Sequence, residues 1–214
     1  MKLLSSSFLA LLVLAFAIPL FAGTNNSDDQ IWIAGAVSHE FNLVFALELE
    51  QQFRYKDQYS TLDKTITQLA LSVDVRKVFK LTLGYRYTNS GDEIIRRAQL
   101  AVSTSIKLNR WRFSYRQQYQ AESESDEDLE YELRNKLGIR YLLWARLAAY
   151  AEYEWFHRIG DPPVELRKYR ATTGLRVNLP GPQVLKIFIR RQQQVNRKNP
   201  DRQNILGLKY EYEL

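Results

Sequence analysis

Two histidines, His39 and His157, are the residues best suited to proton transfer in this chain. A histidine acts as a general base only when it stands beside a nucleophile or a carboxylate. His39 lies between Ser38 and Glu40, and His157 lies four residues before Asp161. On an extended strand, sequence neighbours point to opposite faces, so Ser38 and His39 do not form a dyad by adjacency. The run Glu122-Ser123-Glu124-Ser125-Asp126-Glu127-Asp128 could collect calcium through its oxygens, but it lacks the glycine and spacing of an EF-hand and reads as a solvated external loop. Walker, dinucleotide-binding and zinc-ligand motifs are absent. No catalytic residue, cofactor or metal is therefore expected, and a hydrolase is the least favoured of the readings.

The other chemistry lies in charged side chains at alternate positions. In one phase stand Glu48, Glu50, Arg54, Arg86, Arg112 and Arg116, then Glu130, Glu132, Arg134, Lys136 and Arg140, then Glu152, Glu154, Arg170, Arg176 and Arg190. Asp74, Lys80, Arg97, Arg146, Lys186, Lys209, Glu211 and Glu213 continue that face. In the other phase the residues are apolar. Leu43, Phe45, Leu47, Leu49, Phe53 and Tyr55 oppose the charges of one segment, Phe79, Leu81, Leu83, Tyr85 and Tyr87 those of the next, and Leu133, Leu137, Ile139 and Tyr141 those of a later one. A period of two is the signature of a strand with two unlike faces, since a helix would scatter both classes around its axis.

Stepping along the chain, this alternation occupies about eleven segments, near 30–41, 43–56, 63–75, 79–88, 95–107, 111–121, 129–141, 146–157, 166–177, 184–195 and 202–213. Most exceed the ~9–11 residues that a tilted strand needs to cross a bilayer. Beyond the N-terminus no apolar run approaches the ~18 residues of a spanning helix, so the spanning structure left is a closed barrel. Tight joints near Glu40, Lys77, Asn109, Leu143 and Pro180-Gly181-Pro182 alternate with longer polar stretches at 57–61, 89–93, 122–128, 158–165 and 196–201. That asymmetry suits short periplasmic turns and longer external loops. Single-chain bacterial barrels normally have an even number of strands, so the expectation is an all-β, transmembrane, antiparallel up-and-down barrel of about 10–12 strands.

Lys2 and the apolar run from Phe8 to Leu20, closed by Phe21-Ala22-Gly23, read as a secretory leader over residues 1–22, leaving a barrel over 23–214. With no cysteine there is neither a disulfide framework nor a lipid-attachment residue. Trp111, Phe79 and Trp144 lie by the tight turns, and Tyr55, Tyr87, Tyr119, Tyr153 and Trp155 lie toward the longer loops, which gives two aromatic girdles. A soluble sandwich would alternate in the same way, but its strands are usually shorter, about 5–6 residues. The last residues, Leu206 to Leu214, alternate to the end and resemble the strand recognised by outer-membrane assembly machinery, although those strands usually close on an aromatic.

The series Phe53-Arg54-Tyr55, Leu83-Gly84-Tyr85-Arg86-Tyr87, Leu133-Arg134-Asn135-Lys136-Leu137, Asn196 to Pro200 and Leu206-Gly207-Leu208-Lys209-Tyr210 resembles the domain of unknown function 2490 family, over nearly the whole chain after the leader. That resemblance implies a bacterial outer-membrane barrel; it assigns no activity and no site residue.

The charges then allow two main roles. Arg and Glu can pair into a closed interior network, leaving a structural or surface role, because buried charges must be paired. Alternatively the basic excess, 30 Lys+Arg against 24 Asp+Glu, lines a narrow pore that favours small anionic solutes, with Arg112, Arg116, Arg134 and Arg140 as the contacts. Partners on either reading are outer-membrane lipid and the barrel-assembly machinery. Nucleic acid is not expected, since the basic residues are interleaved with acids.

Overall fold

The computed structural model describes residues 27–42, 44–57, 59–75, 78–91, 93–125, 128–160, 164–196 and 200–214. The leader expected over 1–22 lies outside them. The chain forms eleven strands: β1 (Ser27–Glu40), β2 (Phe45–Lys56), β3 (Thr61–Val75), β4 (Phe79–Ser90), β5 (Glu93–Leu108), β6 (Trp111–Glu124), β7 (Glu130–Trp144), β8 (Leu147–Ile159), β9 (Val164–Asn178), β10 (Gln183–Gln194) and β11 (Arg202–Glu213). Every strand end falls within three residues of an alternation boundary in the sequence.

Consecutive strands pair antiparallel, and the sheet closes on itself through β1 and β11. Because the count is odd, that last pairing is parallel, from Ser27 opposite Arg202 to Ser38 opposite Glu213. The usual even count therefore does not hold here. β1 forms an antiparallel hairpin with β2 through ten paired residues, Ile31 opposite Tyr55 to Glu40 opposite Ala46, and with its other edge closes the barrel on β11.

Loops at the two ends differ less than the sequence suggests. Ser90 pairs with Glu93, so strand pairing runs into the stretch 89–93 from both sides. β6 runs on to Glu124, within the acidic stretch, and still pairs with Ile95. Ladder pairing needs only backbone groups, so polar residues beyond the apolar band stay in the strands. The end carrying the 57–60, 91–92, 125–129, 160–163 and 195–201 connections is termed the loop end, and the other the turn end. At the turn end Asn109 takes φ 53°, the left-handed conformation that a two-residue hairpin demands and that asparagine tolerates.

The two faces of the sheet are inverted relative to a water-soluble protein. Leu49, Leu69, Leu83, Leu100, Leu137 and Leu206 all point outward and are about half exposed. Phe79 and Trp144 stand outward near the turns, and Tyr87, Tyr119 and Tyr153 toward the loops, where Tyr119 stacks on Tyr131 and Tyr153 on Tyr169 at centroid distances of 5.9 and 6.1 Å. Inside, the buried side chains include Gln99, Gln118, Gln120, Glu132, Glu154 and Thr172. A sandwich would bury its leucines between sheets; this single closed sheet buries its charges instead.

Two inward glycines let bulky side chains lie flat on the wall. A Cβ at Gly207 would meet the Phe188 ring, and one at Gly174 would meet Phe188 Cβ and Tyr150 Cζ. Both glycines stand directly beside those residues in the register, so the glycine is the recess and the aromatic fills it.

Candidate functional site

The inward phase of the strands encloses a cavity of about 350 Å³. Glu48, Glu50, Arg54, Arg86, Arg112, Arg116, Arg134, Lys136, Arg140, Glu152, Glu154, Arg170, Arg176 and Arg190 line it. Glu132 lies deeper, buried in the loop-end layer, and Glu130 sits at the loop-end rim, where Arg158 and Arg167 pair with it at 3.0 and 2.7 Å. Arg146 does not share this face: it sits in the turn between β7 and β8, where Asn178 N–H donates to its carbonyl at 2.8 Å.

Toward the loop end the interior is packed, and Glu122, Glu130, Glu132 and Glu154 each have a cationic partner. Arg134 Nη2 donates to both oxygens of Glu154 at 2.9 Å, and Arg170 approaches the same carboxylate at 3.7 Å. Gln118 donates to Gln99 and to Gln120 at 2.9 Å, Gln120 donates to Glu132, and Lys168 lies 3.7 Å from Glu132. Arg97 pairs with Glu122. Glu122 was expected in a solvated loop; because β6 continues past it, its side chain turns inward instead.

Two aromatic rings organise this layer, and the sequence analysis did not place them there. Trp32 is covered by Arg54 at 3.7 Å, with Arg190 and Arg170 at 5.2 and 5.8 Å from its ring. Phe156 carries Arg170, Lys168 and Arg134 at 4.7, 4.8 and 5.2 Å. Stacking of this kind stabilises cations that have been taken out of water. The signal was in the phase: Trp32 alternates with Gln30 and Ala34 while Ile31 and Ile33 form the apolar phase, and Phe156 follows Glu152 and Glu154.

On the β8–β11 wall nearer the turns, cations again have partners. Lys136 reaches Glu152 at 3.2 Å, Lys186 reaches Glu211 at 2.6 Å, and Lys209 bridges to Glu50 and Glu211.

The β6–β7 wall differs. There, among the described residues, Arg112, Arg116 and Arg140 have no carboxylate within 4.0 Å, and elsewhere in the lumen the same holds for Arg54 on β2, Arg86 on β4 and Arg190 on β10. Arg54 and Arg86 donate to Gln52 and Gln68, and Arg190 to Thr172. Arg116 Nε is buried with no hydrogen-bond partner. Arg112 stands directly opposite Arg140, and Arg116 directly opposite Lys136. Like charges face to face across a ladder are destabilising. Between the two pairs lie Ser114 and Gly138, whose small side chains leave a notch. Of the four arginines expected to contact a solute, Arg112, Arg116 and Arg140 therefore border open space, while Arg134 is tied to Glu154.

The histidines are far apart. His39, at the turn end, lies 3.3 Å from the Leu214 carbonyl and packs edge-on against Phe41. His157, near the loop end, pairs with Leu133 and Leu166 on the outward phase; Asp161 lies outside the described residues. Among the described residues no three His, Asp or Glu side chains gather as a metal site, and Asp126 and Glu127 of the acidic stretch lie outside them.

The family described as "Protein of unknown function (DUF2490)" matches residues 29–204. No curated protein matches the sequence. A bacterial polysaccharide outer membrane secretin aligns with TM-score 0.51 and 10% identity, over 79% of this chain and 64% of its own. The chain thus spans less than two thirds of that protein, and at this identity the likeness is one of fold alone. The KdgM porin in complex with disordered oligogalacturonate aligns with TM-score 0.49 and 14% identity, over 79% of this chain and 91% of its own. OmpT of Vibrio cholerae, expressed in the outer membrane, aligns with TM-score 0.43 and 7% identity, over 70% of this chain and 54% of its own.

Proposed function

This chain belongs to the DUF2490 family, whose description assigns no activity, and we propose that it is an outer-membrane β-barrel whose lumen favours small anions. The membrane is supported by the exposed leucine band, which in water would cost about 25 cal/mol for each Å² of apolar surface left uncovered, and by closure of the sheet, which leaves no unpaired edge in hydrocarbon. Strands of 12 to 16 residues are long enough to cross. β11 is the strand through which assembly machinery would engage the barrel.

The observation that carries the anion reading is the set of inward arginines without a carboxylate, Arg112, Arg116 and Arg140 above all. Fixed positive charge on a lumen wall lowers the barrier for negative solutes. The test is single-channel recording of the refolded protein in a planar bilayer under a salt gradient. Anion-selective steps are expected, and Arg140→Glu together with Arg116→Glu should move the reversal potential toward cations. Unchanged anion preference in both variants would remove these arginines as the filter.

A second reading, a closed barrel with a structural or surface role, draws on the packed layer around Trp32, Phe156 and Glu154. It predicts a protein that inserts and stays silent in the same recordings.

A further inference from the structure

Four cations, Arg112, Arg116, Lys136 and Arg140, frame the notch over Ser114 and Gly138 on the β6–β7 wall. Glu152 is paired with Lys136 at 3.2 Å, and Glu48 and Glu154 line the same cavity without touching the three arginines. Arg112, Arg116 and Arg140 are thus three cations that no carboxylate approaches within 4.0 Å among the described residues. Arg112 and Arg140 keep their cross-strand repulsion although a single exchange to an acid on β8, at Ala148 or Tyr150, would relieve it. Arg116 keeps a buried Nε that nothing among the described residues satisfies, and a buried donor left without a partner costs about 1–3 kcal/mol.

Size and access narrow the occupant. The floor is small because any side chain at Gly138 meets Ser114 Oγ, 2.5 Å from where a Cβ would stand. The wall lies on the turn-end side of the packed Trp32 and Phe156 layer, so an occupant arrives from the turn end. Guanidinium groups suit oxyanions in particular, because their planar N–H donors match pairs of phosphoryl or carboxylate oxygens.

We propose that this notch is a binding site for a compact oxyanion carrying at least two negative charges. Arg112, Arg116 and Arg140 donate to its oxygens, and Ser114 supplies a hydroxyl at the floor. The inference rests on the reading of the lumen as anion-favouring and adds a saturable site to it.

Calorimetric titration of the folded, detergent-solubilised protein tests it, with inorganic pyrophosphate as the phosphoryl probe and citrate as the carboxylate probe. Saturable binding of pyrophosphate alone marks a phosphoryl site, of citrate alone a carboxylate site, and of both a general oxyanion site; each supports the proposal. Arg116→Gln and Arg140→Gln should each weaken binding about tenfold, the loss of one charge-assisted contact. Arg158→Gln removes the same charge from the loop-end rim and should leave binding unchanged. Should the arginine variants fail to fold, Ser114→Asp gives the test with a carboxylate placed at the floor of the notch, where binding should vanish. A linear, non-saturating heat for both probes overturns the proposal, as does an Arg158→Gln effect equal to that of Arg116→Gln. Because the titration needs no current, a silent barrel that binds pyrophosphate keeps the site and loses the pore, and a conducting barrel without saturation does the reverse.

Discussion

The loop-end layer and the β6–β7 notch are built from the same alternation of Arg, Lys and Glu, yet one is closed by its own charges and the other is not. Arg134 has Glu154 on the neighbouring strand, a buried carboxylate that also meets Arg170. Six residues further along β7, Arg140 has Arg112 on one side and Tyr150 on the other. The acids of β8 stop at Glu152; Tyr150 and Ala148 follow in the inward phase. Whether an inward arginine is structural or available thus depends on what its neighbour strand offers at the same height, not on the arginine itself.

The largest effect should come from breaking the matched layer. Glu154→Ala leaves Arg134 and Arg170 uncompensated in a buried setting, and it should cost about 3–5 kcal/mol, read from urea unfolding of the protein in vesicles. If the loss is below that of a surface ion pair, the layer is wetter than its burial indicates and the contrast with the notch fails.

A smaller loss should follow on the β10–β11 wall. Gly207→Ala drives a methyl group into the Phe188 ring, an overpacking expected to cost about 1–3 kcal/mol. Phe188→Leu in the same chain should recover part of it. A double-mutant cycle with no coupling would show that the ring moves aside freely.

The smallest effect should have the opposite sign. Arg112→Gln relieves the repulsion with Arg140 and should stabilise the barrel by about 0.2–1 kcal/mol, the size of a cross-strand pair, while weakening anion binding. Loss of stability there would mean that Arg112 has a partner in the membrane-bound protein and would erase the distinction between the regions.

The barrel was legible in the sequence almost to its strand ends, because a period of two sustained over a whole chain admits few other folds. Parity was not legible, since an even count describes barrels whose first and last strands run antiparallel, and here β1 and β11 run parallel. Facing direction was legible for the charges, which cannot point into an apolar band. It was not legible for Trp32, Phe156, Phe188 and Tyr150, because an aromatic ring suits either face; only the phase of its neighbours tells which. Pairing was least legible of all. Arg134 and Arg140 sit in the same strand, phase and composition, and the difference between them lies in the register with β6 and β8, which a single chain of letters does not display.

The parallel seam between β1 and β11 has a consequence for how this protein can be rewired. The first residue of β1, Ser27, and the last of β11, Glu213, stand at opposite mouths. A circular permutant that joins them needs a connector running the whole length of a strand, about 40 Å at ~3.3 Å per residue, either through the occupied lumen or along the lipid face. Barrels with an antiparallel seam accept such a join through a short turn. This one does not, so grafting or permutation experiments must open it within an existing hairpin and leave the seam intact.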